Sequence, residues 1–542
     1  MTRHPILNIL NRKLFWGVCG VLLLAGVVLR LWHIARPDFI FYDEGFYLNH
    51  NLKFGRILVG NYPHRIGDWF HALSAFIRIS LGSGKCLWFL LADARYFFGV
   101  IEPWYIPRIL AALCGIATLA LTYCFAARFY GSRLVGLASA AMLAVLPSHV
   151  FYSRVGLQEA LSTLLVLAGF SAYCSVRQFS WRTIAAGLWF AAGFFSNYRL
   201  IMVPLLVAGA EFIPVLAERR LPKIEELRKF VWFLVTFLCG VFIVGSLYNG
   251  ANTFITFAWI FHQGDMAAGD FHPVNVFSYP YYLFRLEGGI FGLVFLTGLA
   301  VTFRKKSDGW LPAVIVLLQM GVFSLTSEKG ARYLCAVMPF MAMTAASGLG
   351  AFIADHADNI KRRAVVAVLV VVLAGSLLAR SSRVAQARSD YRPAAEFLLI
   401  NDPQAKIVAT QPYILNLYTA RPEQVVSCPR SFAGLAQLYG QGYRYLILDP
   451  QAYISWAQHD ERFNPELDDY LQFVVRGVRP VQVFDHFDPA ALERFVFDHN
   501  THLPRSVEFL SRAPKEGLGM IRIYKIEDIM TAVMAVIQHQ PS

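Results

Sequence analysis

The run LFWGVCGVLLLAGVVLRLWHI, residues 14–34, decides the fold of this chain. A helix needs about 20 apolar residues to cross the hydrocarbon of a bilayer, and this run is long enough, with Arg30 as its one charged residue. A cleaved signal peptide is the alternative, but no small-residue cleavage site follows the run and many more apolar runs do. The run therefore predicts a retained membrane anchor.

The composition is that of a polytopic membrane protein. Of the 542 residues, 56% are hydrophobic and 16% are charged, whereas a soluble protein has about 25% charged residues. Excess Lys and Arg set the topology of such a protein, so the net charge of +13 predicts no nucleic-acid partner. The eight cysteines form no CxxC pair and lie mostly in apolar runs, which argues against a disulfide framework or a zinc site.

Further apolar runs predict about eleven membrane spans within residues 1–380. With the N-terminus in the cytoplasm, every short loop on that side is basic, as the positive-inside rule requires. The odd count places residues 381–542 outside, and we expect a bacterial inner membrane. The predicted spans are 14–34, 107–127, 134–151, 159–176, 183–197, 199–217, 229–248, 286–303, 310–326, 333–354 and 364–380.

Residues 381–542 have a different pattern, with short β-like runs between helical ones. Strands that alternate with helices predict a small α/β domain outside the cytoplasm. It contains no GxGxxG or GxxxxGK[ST] sequence, so we expect no nucleotide there. The β-like runs are Ala405–Thr410, Gln424–Ser427, Tyr443–Asp449, Val481–Phe484 and Met520–Lys525, with helices at Ala394–Ile400, from Asp488-Pro489 to Asp498, and at Glu527–His539.

The first external loop, residues 35–106, carries the sequence FIFYDEGFY at 39–47. Asp43 and Glu44 lie there among aromatic residues, close to the membrane surface. Desolvation raises the pKa of a carboxylate and makes it a better base near neutral pH, although capping of a short helix is the plain alternative. The loop segments Phe70–Leu81 and Leu87–Val100 are amphipathic and predict helices that lie in the interface.

Several basic residues fall on the outer side, where the positive-inside rule does not expect them. Each alone is explained by snorkelling to lipid phosphate, but the set favours an anion site, because Arg binds phosphate through several donors. One base and several cations at a lipid surface suggest inverting transfer of a sugar from a polyprenyl phosphate. The residues are Arg30, Arg36, Arg65, Arg154, Arg199, Arg285, Lys329 and Arg332.

An ordered set of motifs resembles the GT-C glycosyltransferases, specifically the dolichyl-phosphate-mannose protein mannosyltransferases and the bacterial aminoarabinose transferases of lipid A. The set spans most of the membrane part of the chain. The motifs are Arg30 through Asp43–Tyr47, Gly60–His64, Tyr152–Arg154 with Glu159, Gly187–Phe195 with Asn197–Arg199, and Arg332–Leu334 with Pro339.

The resemblance implies a GT-C-like fold and a polyprenyl-phosphate sugar donor. It assigns the catalytic base to Asp43 and the adjacent acid to Glu44. The acceptor is a hydroxyl of a protein, lipid or glycan. The candidate donor-phosphate residues are Arg154, Arg199, Lys329 and Arg332, and the candidate substrate-binding residues are Tyr47, His64, Arg65, Glu159 and Tyr333.

Two other classes of function remain open. A transporter or flippase for a lipid-linked or anionic substrate would use mid-membrane charge and internal repeats, which this sequence lacks. A scaffold that presents the C-terminal domain would leave the Asp-Glu pair without a role. No cofactor is predicted. The spacing of His262, Asp265, Asp270 and His272 matches no zinc pattern and favours a polar lid. A divalent metal stays open because related folds with other acceptors use such an ion near the acidic pair.

Overall fold

The computed structural model forms two compact units. The helical unit comprises Met1–Ala35, Phe54–Ser327 and Ala331–Ala385, and the mixed unit comprises Arg36–Lys53, Glu328–Gly330 and Gln386–Ser542. The structure describes residues 12–34, 36, 39–41, 43–49, 85–92, 102–249, 273–304, 309–326, 329–355, 360–419, 424–429, 431–450, 452, 465–498, 500, 502–517 and 519–539.

The helical unit consists of α-helices joined by short turns, three of which are 3₁₀ segments at Tyr198–Met202, Pro273–Phe277 and Ala331–Val337. Its helices are α1 (Arg12–Leu31), α3 (Cys86–Ala92), α4 (Tyr105–Phe129), α5 (Arg133–Ala144), α6 (Pro147–Tyr152), α7 (Glu159–Cys174), α8 (Trp181–Ser196), α9 (Val203–Ala217), α10 (Ile224–Asn249), α11 (Ser278–Arg285), α12 (Gly289–Arg304), α13 (Trp310–Ser324), α14 (Met338–Asp355) and α15 (Ile360–Ala385). Helix α2, residues 43–49, belongs to the mixed unit.

Several of these helices are long and apolar enough to cross a bilayer. Among the described residues four satisfy both conditions, namely Tyr105–Phe129, Tyr198–Ala217, Ala331–Ala351 and Ala367–Ala385. A fifth span forms if the bent pair Pro273–Arg285 and Gly289–Arg304 crosses as one. Shorter apolar helices, such as α5, α7 and α13, accompany them. The chain is therefore a multi-pass integral membrane protein, and the count of eleven spans stays a prediction.

Two predicted spans differ in detail from the helices observed. The run 134–151 forms two helices, because α5 ends at Ala144 and α6 begins at Pro147, whose ring nitrogen has no hydrogen to donate to a preceding turn. The second is the run 286–303, where the chain bends by 113° between the end of α11 and the start of α12. Gly288 lies at this bend with φ of 104°, a conformation that a side chain would strain.

The mixed unit contains a five-stranded sheet of β1 (Lys406–Ala409), β2 (Val425–Ser427), β3 (Tyr443–Leu448), β4 (Gln482–Phe484) and β5 (Ile521–Lys525). The strand order is β2-β1-β3-β5-β4, with β1 parallel to β2 and β3, and β5 antiparallel to β3 and β4. Its helices are α16 (Tyr391–Asn401), α17 (Pro412–Thr419), α18 (Phe432–Gly440), α19 (Pro465–Gly477), α20 (Pro489–Asp498), α21 (Leu503–Glu516) and α22 (Ile526–His539).

The α/β prediction for the C-terminal residues is confirmed. Each of the five predicted β-like runs contains one strand, and the three predicted helices correspond to α16, α20 and α22. Of the two interfacial helices predicted in the first loop, Phe70–Leu81 lies outside the described residues. The second predicted helix, Leu87–Val100, is described only as far as residue 92, and that part lies in α3.

Candidate active site

Asp43 and Glu44 begin helix α2 of the mixed unit. The Glu44 carboxylate is fully buried, and its Oε2 accepts a hydrogen bond from the Phe41 backbone nitrogen at 3.2 Å. The Gly45 nitrogen donates to the Phe41 carbonyl at 2.8 Å, which closes the first turn. Asp43 is half-buried. Glu44 therefore stabilises the start of the helix, and its neighbour Asp43 points in a different direction, since adjacent helical side chains diverge.

Helix α2 packs against α17, which follows the central strand β1. Gly45 lies so close to Ile414 that an added Cβ would come within 2.8 Å of the Ile414 side chain. The Asn49 amide donates to the Gly45 carbonyl at 2.8 Å and also to the Tyr413 carbonyl. Phe46 packs edge-on against Tyr413, with ring centroids 5.1 Å apart. The sheet of the mixed unit thus supports the helix that carries Asp43.

Aromatic packing fixes the residues on both sides of Asp43. Phe39 and Phe41 pack against Phe495 of α20, with ring centroids 5.9 and 5.1 Å apart. Tyr47, a predicted substrate-binding residue, lies one turn after Asp43 and is 4% exposed. Its burial in α2 gives Tyr47 a packing role in this conformation.

Lys329 also belongs to the mixed unit. Its backbone nitrogen donates to the Asn500 carbonyl at 2.9 Å in an isolated β-bridge, and Ser506 donates to the Asn500 side-chain oxygen at 2.8 Å. The Lys329 side chain is fully buried, and this burial lowers its pKa to about 8.

In the helical unit, Arg199 and Arg332 gather around Tyr333. The Arg199 guanidinium donates to the Tyr333 hydroxyl at 3.0 Å, and its Cζ lies 4.1 Å from the centroid of the same ring. The Arg332 Cζ lies 6.0 Å from that centroid. The Tyr333 carbonyl accepts from the Gln319 amide at 2.9 Å, which fixes the 3₁₀ segment that carries both residues. Sequence reasoning predicts all three of Arg199, Arg332 and Tyr333, and the structure brings them together.

Two more charged residues join this group, which we call the Tyr333 cluster: Lys85, Glu159, Arg199, Arg332 and Tyr333. The pKa of Lys85 is lowered to about 7, by burial first and by the positive charge of Arg199 second, while the negative charge of Glu159 acts in the opposite direction. Glu159 begins α7, is 1% exposed, and accepts from the Gln158 amide at 3.1 Å.

Sequence reasoning misses Lys85. It could have been selected by its position in the predicted first external loop, because it is a cation on the side where the positive-inside rule expects few. Cys86, the next residue, begins α3 and donates from its sulfur to the Phe195 carbonyl of α8 at 3.7 Å. That contact anchors Lys85 beside the turn that carries Arg199.

Arg154 has a different environment. Its guanidinium donates to the Leu29 carbonyl of α1 and, at 2.9 Å, to the Ala385 carbonyl that ends α15. Burial lowers the pKa of Arg154 to about 10, and the charge of Arg108 adds to the shift. The Arg154 guanidinium therefore contacts helix backbones, whereas the Arg199 guanidinium contacts tyrosines.

Arg30 is likewise bound to backbone. It is fully buried and donates to the carbonyls of Gly26 and Ala144, each at 2.7 Å, and its other terminal nitrogen lies 2.6 Å from Nδ1 of His149. Helix α5 ends at Ala144, so Arg30 satisfies a carbonyl that the helix itself leaves without a partner.

Six other predicted residues lie outside the described residues. These are His64 and Arg65 of the first loop, and His262, Asp265, Asp270 and His272 of the possible metal group. Within the part of the chain that the structure describes, no group of three His, Cys, Asp or Glu side chains could hold a metal ion. All eight cysteines are described and free.

Comparison with known proteins shows a similarity of fold. No protein-family model matches the chain, and no curated protein matches it. Among solved structures, it resembles the oligosaccharyltransferase AglB from Archaeoglobus fulgidus in complex with an inhibitory peptide and a dolichol-phosphate, with a TM-score of 0.56, 12% identity, and 85% of this chain and 72% of that chain covered.

Two further structures agree with that match. The oligosaccharyltransferase of Archaeoglobus fulgidus in the apo form gives a TM-score of 0.53 at 11% identity, covering 85% of this chain and 73% of that chain. ArnT from Cupriavidus metallidurans in the apo state gives 0.51 at 14% identity, covering 87% and 95%. The chain therefore shares the fold of these solved structures, and the resemblance found in the sequence is confirmed at that level.

Proposed function

We propose that this chain with a GT-C fold is an inverting glycosyltransferase that moves a sugar from a polyprenyl-phosphate donor to a hydroxyl acceptor at the outer face of the membrane. The observation that carries the proposal is the Tyr333 cluster. Two arginines from distant parts of the sequence, Arg199 and Arg332, lie around one tyrosine, and Arg199 influences the pKa of Lys85. The helical unit belongs to a chain whose fold is similar to that of an oligosaccharyltransferase solved with a dolichol-phosphate. A group of cations in a partly desolvated place is suited to a phosphate.

The donor phosphate binds at the Tyr333 cluster. Arg199 and Arg332 offer planar sets of N–H donors, and Lys85 adds a point charge. The same cations stabilise the negative charge that develops on the phosphate as it leaves the sugar. The AglB structure was solved with a dolichol-phosphate, which is a polyprenyl phosphate and supports this class of donor. Glu159 balances the charge of the cations when the donor is absent.

Asp43 takes the proton of the acceptor hydroxyl. The Glu44 carboxylate accepts a hydrogen bond from the Phe41 nitrogen at the start of α2. We therefore assign a structural role to Glu44 and the role of catalytic base to Asp43. General-base catalysis requires a carboxylate that reaches the hydroxyl directly, and the contacts of α2 with α17 hold this one in a fixed helix.

The topology follows from the basic loops. About eleven spans place the N-terminus and the loop around Pro222 in the cytoplasm, with the first external loop and residues 381–542 outside. The C-terminal domain is proposed to bind or guide the acceptor. The class of the acceptor, the sugar and the dependence on a divalent metal stay open. The alternative of a transporter or flippase gains no specific support from the Tyr333 cluster.

The test is the substitution Asp43→Asn, which keeps the shape of the side chain and removes the base. We expect the transfer rate to fall by about 10²-fold or more while the affinity for the donor stays within about twofold. Both quantities are measured on the same purified protein, with the donor supplied as a polyprenyl-phosphate sugar and its binding measured by competition with polyprenyl phosphate.

The matched control is Asp485→Asn, because Asp485 lies in the mixed unit, is 60% exposed, and pairs with the exposed ring of His486. Asp485→Asn should transfer at the wild-type rate. A wild-type transfer rate for Asp43→Asn would show that Asp43 is not the base. Loss of donor affinity together with transfer would instead indicate a binding role for Asp43.

A further inference from the structure

Glu287 lies at the bend between α11 and α12 and is 5% exposed. Its carboxylate accepts two hydrogen bonds from Ser148, one from the backbone nitrogen at 3.2 Å and one from the side-chain hydroxyl. Ser148 is the second residue of α6, where backbone nitrogens have no partner within the helix. The residues before it supply no cap, because the Leu146 side chain is apolar and Pro147 has no N–H. Glu287 therefore caps α6 from 139 residues further along the chain.

The bend that carries this carboxylate is also bound by α15. The Arg380 guanidinium donates to the Arg285 carbonyl, at the end of α11, at 3.0 Å. The same side chain lies over Gly288, where an added Cβ would come within 3.0 Å of the Arg380 Nε. The next residue of α15, Ser381, donates to the Val145 carbonyl between α5 and α6 at 2.8 Å. Helix α15 thus holds the bend and the junction before α6, so both should stay in place when the carboxylate is removed.

The two helices that Glu287 joins, α6 and α11, both contact the 3₁₀ segment Ala331–Val337. This segment carries Arg332 and Tyr333 and is buried along its whole length. The hydrogen bonds of a 3₁₀ turn have poorer geometry than those of an α-helix, so the position of such a segment depends strongly on its neighbours. The bond between Glu287 and α6 therefore restrains two of the elements against which the segment packs.

We propose that Glu287 is a positioning residue of the donor site. Its carboxylate holds the end of α11 to the start of α6 and so fixes the 3₁₀ segment that presents Arg332 and Tyr333 to the donor phosphate. The proposal rests on the proposed function, because it takes the Tyr333 cluster as the donor site. A cap with a purely structural role would instead stabilise the whole helical unit without a specific effect on this segment.

The first measurement uses Cys335, which lies in the 3₁₀ segment, is a free thiol and is 3% exposed. The full-length protein in detergent micelles is treated with iodoacetamide, and the alkylation rate of each cysteine is followed by peptide mass spectrometry. We expect Glu287→Ala to raise the rate at Cys335 by about tenfold or more, as the loss of a charge-assisted hydrogen bond implies. The rate at Cys114 of α4, which is 5% exposed, should not change. Glu287→Gln keeps an oxygen for the Ser148 nitrogen and should stay within about threefold of the wild-type rate.

The second measurement uses the same variants in binding and transfer. Donor affinity is measured by competition with polyprenyl phosphate, and transfer is measured with a polyprenyl-phosphate sugar. Glu287→Ala should weaken donor binding and raise KM by about tenfold while kcat stays within about twofold, because the interactions lost are those that bind the donor and the proposed base Asp43 is unchanged. Glu287→Gln should restore both values to within about threefold of the wild type.

The control is Glu211→Ala, which removes another largely buried carboxylate, one that binds Lys229 of α10 at 3.0 Å. It should lower the unfolding midpoint and leave Cys335 protected, since its partner is not part of the Tyr333 cluster. An unchanged rate at Cys335 in Glu287→Ala, or an equal increase at Cys114, would overturn the proposal. A faster rate at Cys335 with unchanged competition by polyprenyl phosphate would show that Glu287 holds the segment but that the donor phosphate binds elsewhere, which overturns the donor site of the proposed function.

Discussion

The helical unit uses arginine in two ways that the sequence alone does not distinguish. Arg30 and Arg154 donate to backbone carbonyls, namely those of Gly26 and Ala144 for the first and of Leu29 and Ala385 for the second. Arg199 instead donates to the hydroxyl of Tyr333 and lies over its ring. All three lie at the side that the predicted topology places outside, where the positive-inside rule expects few cations. The comparison teaches that the acceptor, rather than the charge, separates a structural arginine from a candidate ligand-binding one.

The physical reason lies in how helices end. The last four carbonyls of a helix have no partner within it, so a helix that ends in buried surroundings must find donors elsewhere in the protein. Helix α5 stops at Ala144, and Pro147 starts the next helix with no N–H to offer. The Arg30 guanidinium donates to the Ala144 carbonyl instead. At Tyr333 the partners of Arg199 include a phenol hydroxyl and an aromatic face rather than the end of a helix.

The sharpest test of this comparison is a matched pair of substitutions, Arg30→Met and Arg199→Met. Arg30→Met should lower the free energy of unfolding by about 2–4 kcal/mol, because the buried carbonyls that Arg30 binds lose their donor. Arg199→Met should leave stability near that of the wild type and weaken donor binding by about 10- to 100-fold, as expected for one charge-assisted hydrogen bond.

Both variants are measured by denaturant unfolding in detergent micelles and by competition with polyprenyl phosphate. The folded fraction of Arg30→Met should bind the donor as the wild type does, which separates a structural effect from a binding effect. The comparison fails if Arg30→Met is as stable as the wild type, or if Arg199→Met loses stability rather than affinity.

The second prediction concerns the charge on Lys85, which gives the Tyr333 cluster a pH dependence. Its pKa is lowered to about 7 by burial first and by Arg199 second, so Lys85 is protonated below that pH and neutral above it. The donor is a phosphate diester with no proton to lose near pH 7. Donor affinity should therefore fall as pH rises above 7, by at most about tenfold per pH unit, because only the protonated amine attracts the phosphate.

The control for this prediction is Lys85→Arg. An arginine keeps its proton throughout the accessible range, so the affinity of this variant should stay flat between pH 6 and pH 9, which is roughly the window around the Lys85 pKa. Isothermal titration with a non-hydrolysable donor analogue measures both profiles. If the wild-type profile is flat as well, Lys85 does not contribute its charge to the donor site.

The sheet of the mixed unit could be predicted from the sequence because its signal is local. Each strand is a short β-branched or aromatic run between helical patterns, and all five runs contain a strand. The support of α2 could not be predicted, since it depends on contacts between residues far apart in sequence. Gly45 contacts Ile414, and Phe41 packs on Phe495. Pattern reasoning groups Asp43 with the membrane loop that contains it, and it has no means of finding such partners.

The candidate cations show the same limit. Their side of the membrane follows from the alternation of basic loops, which is a local count. Their separation into carbonyl-bound and tyrosine-bound groups follows from where helices end and how they pack. Arg154 illustrates this, because the Ala385 carbonyl that it binds lies at the end of α15. Lys85 has no distinctive local sequence pattern. It is identified only by its burial and by the effect that the charges of Arg199 and Glu159 have on its pKa.

The smallest effect on the transfer rate is expected for substitution of Glu44, which stabilises the start of α2 and is adjacent to the proposed base Asp43. Glu44→Gln keeps an oxygen that can accept from the Phe41 nitrogen, which is the contact at 3.2 Å that begins α2. The transfer rate of Glu44→Gln should therefore fall by less than about tenfold, against about 10²-fold or more for Asp43→Asn. Glu44→Ala removes the acceptor and should lower stability as well as rate. Transfer rates and unfolding midpoints of the three variants, measured in one detergent, decide the assignment. If Glu44→Gln loses as much activity as Asp43→Asn at unchanged stability, the base is Glu44 or the pair acts as one unit, and the division of labour proposed for α2 is wrong.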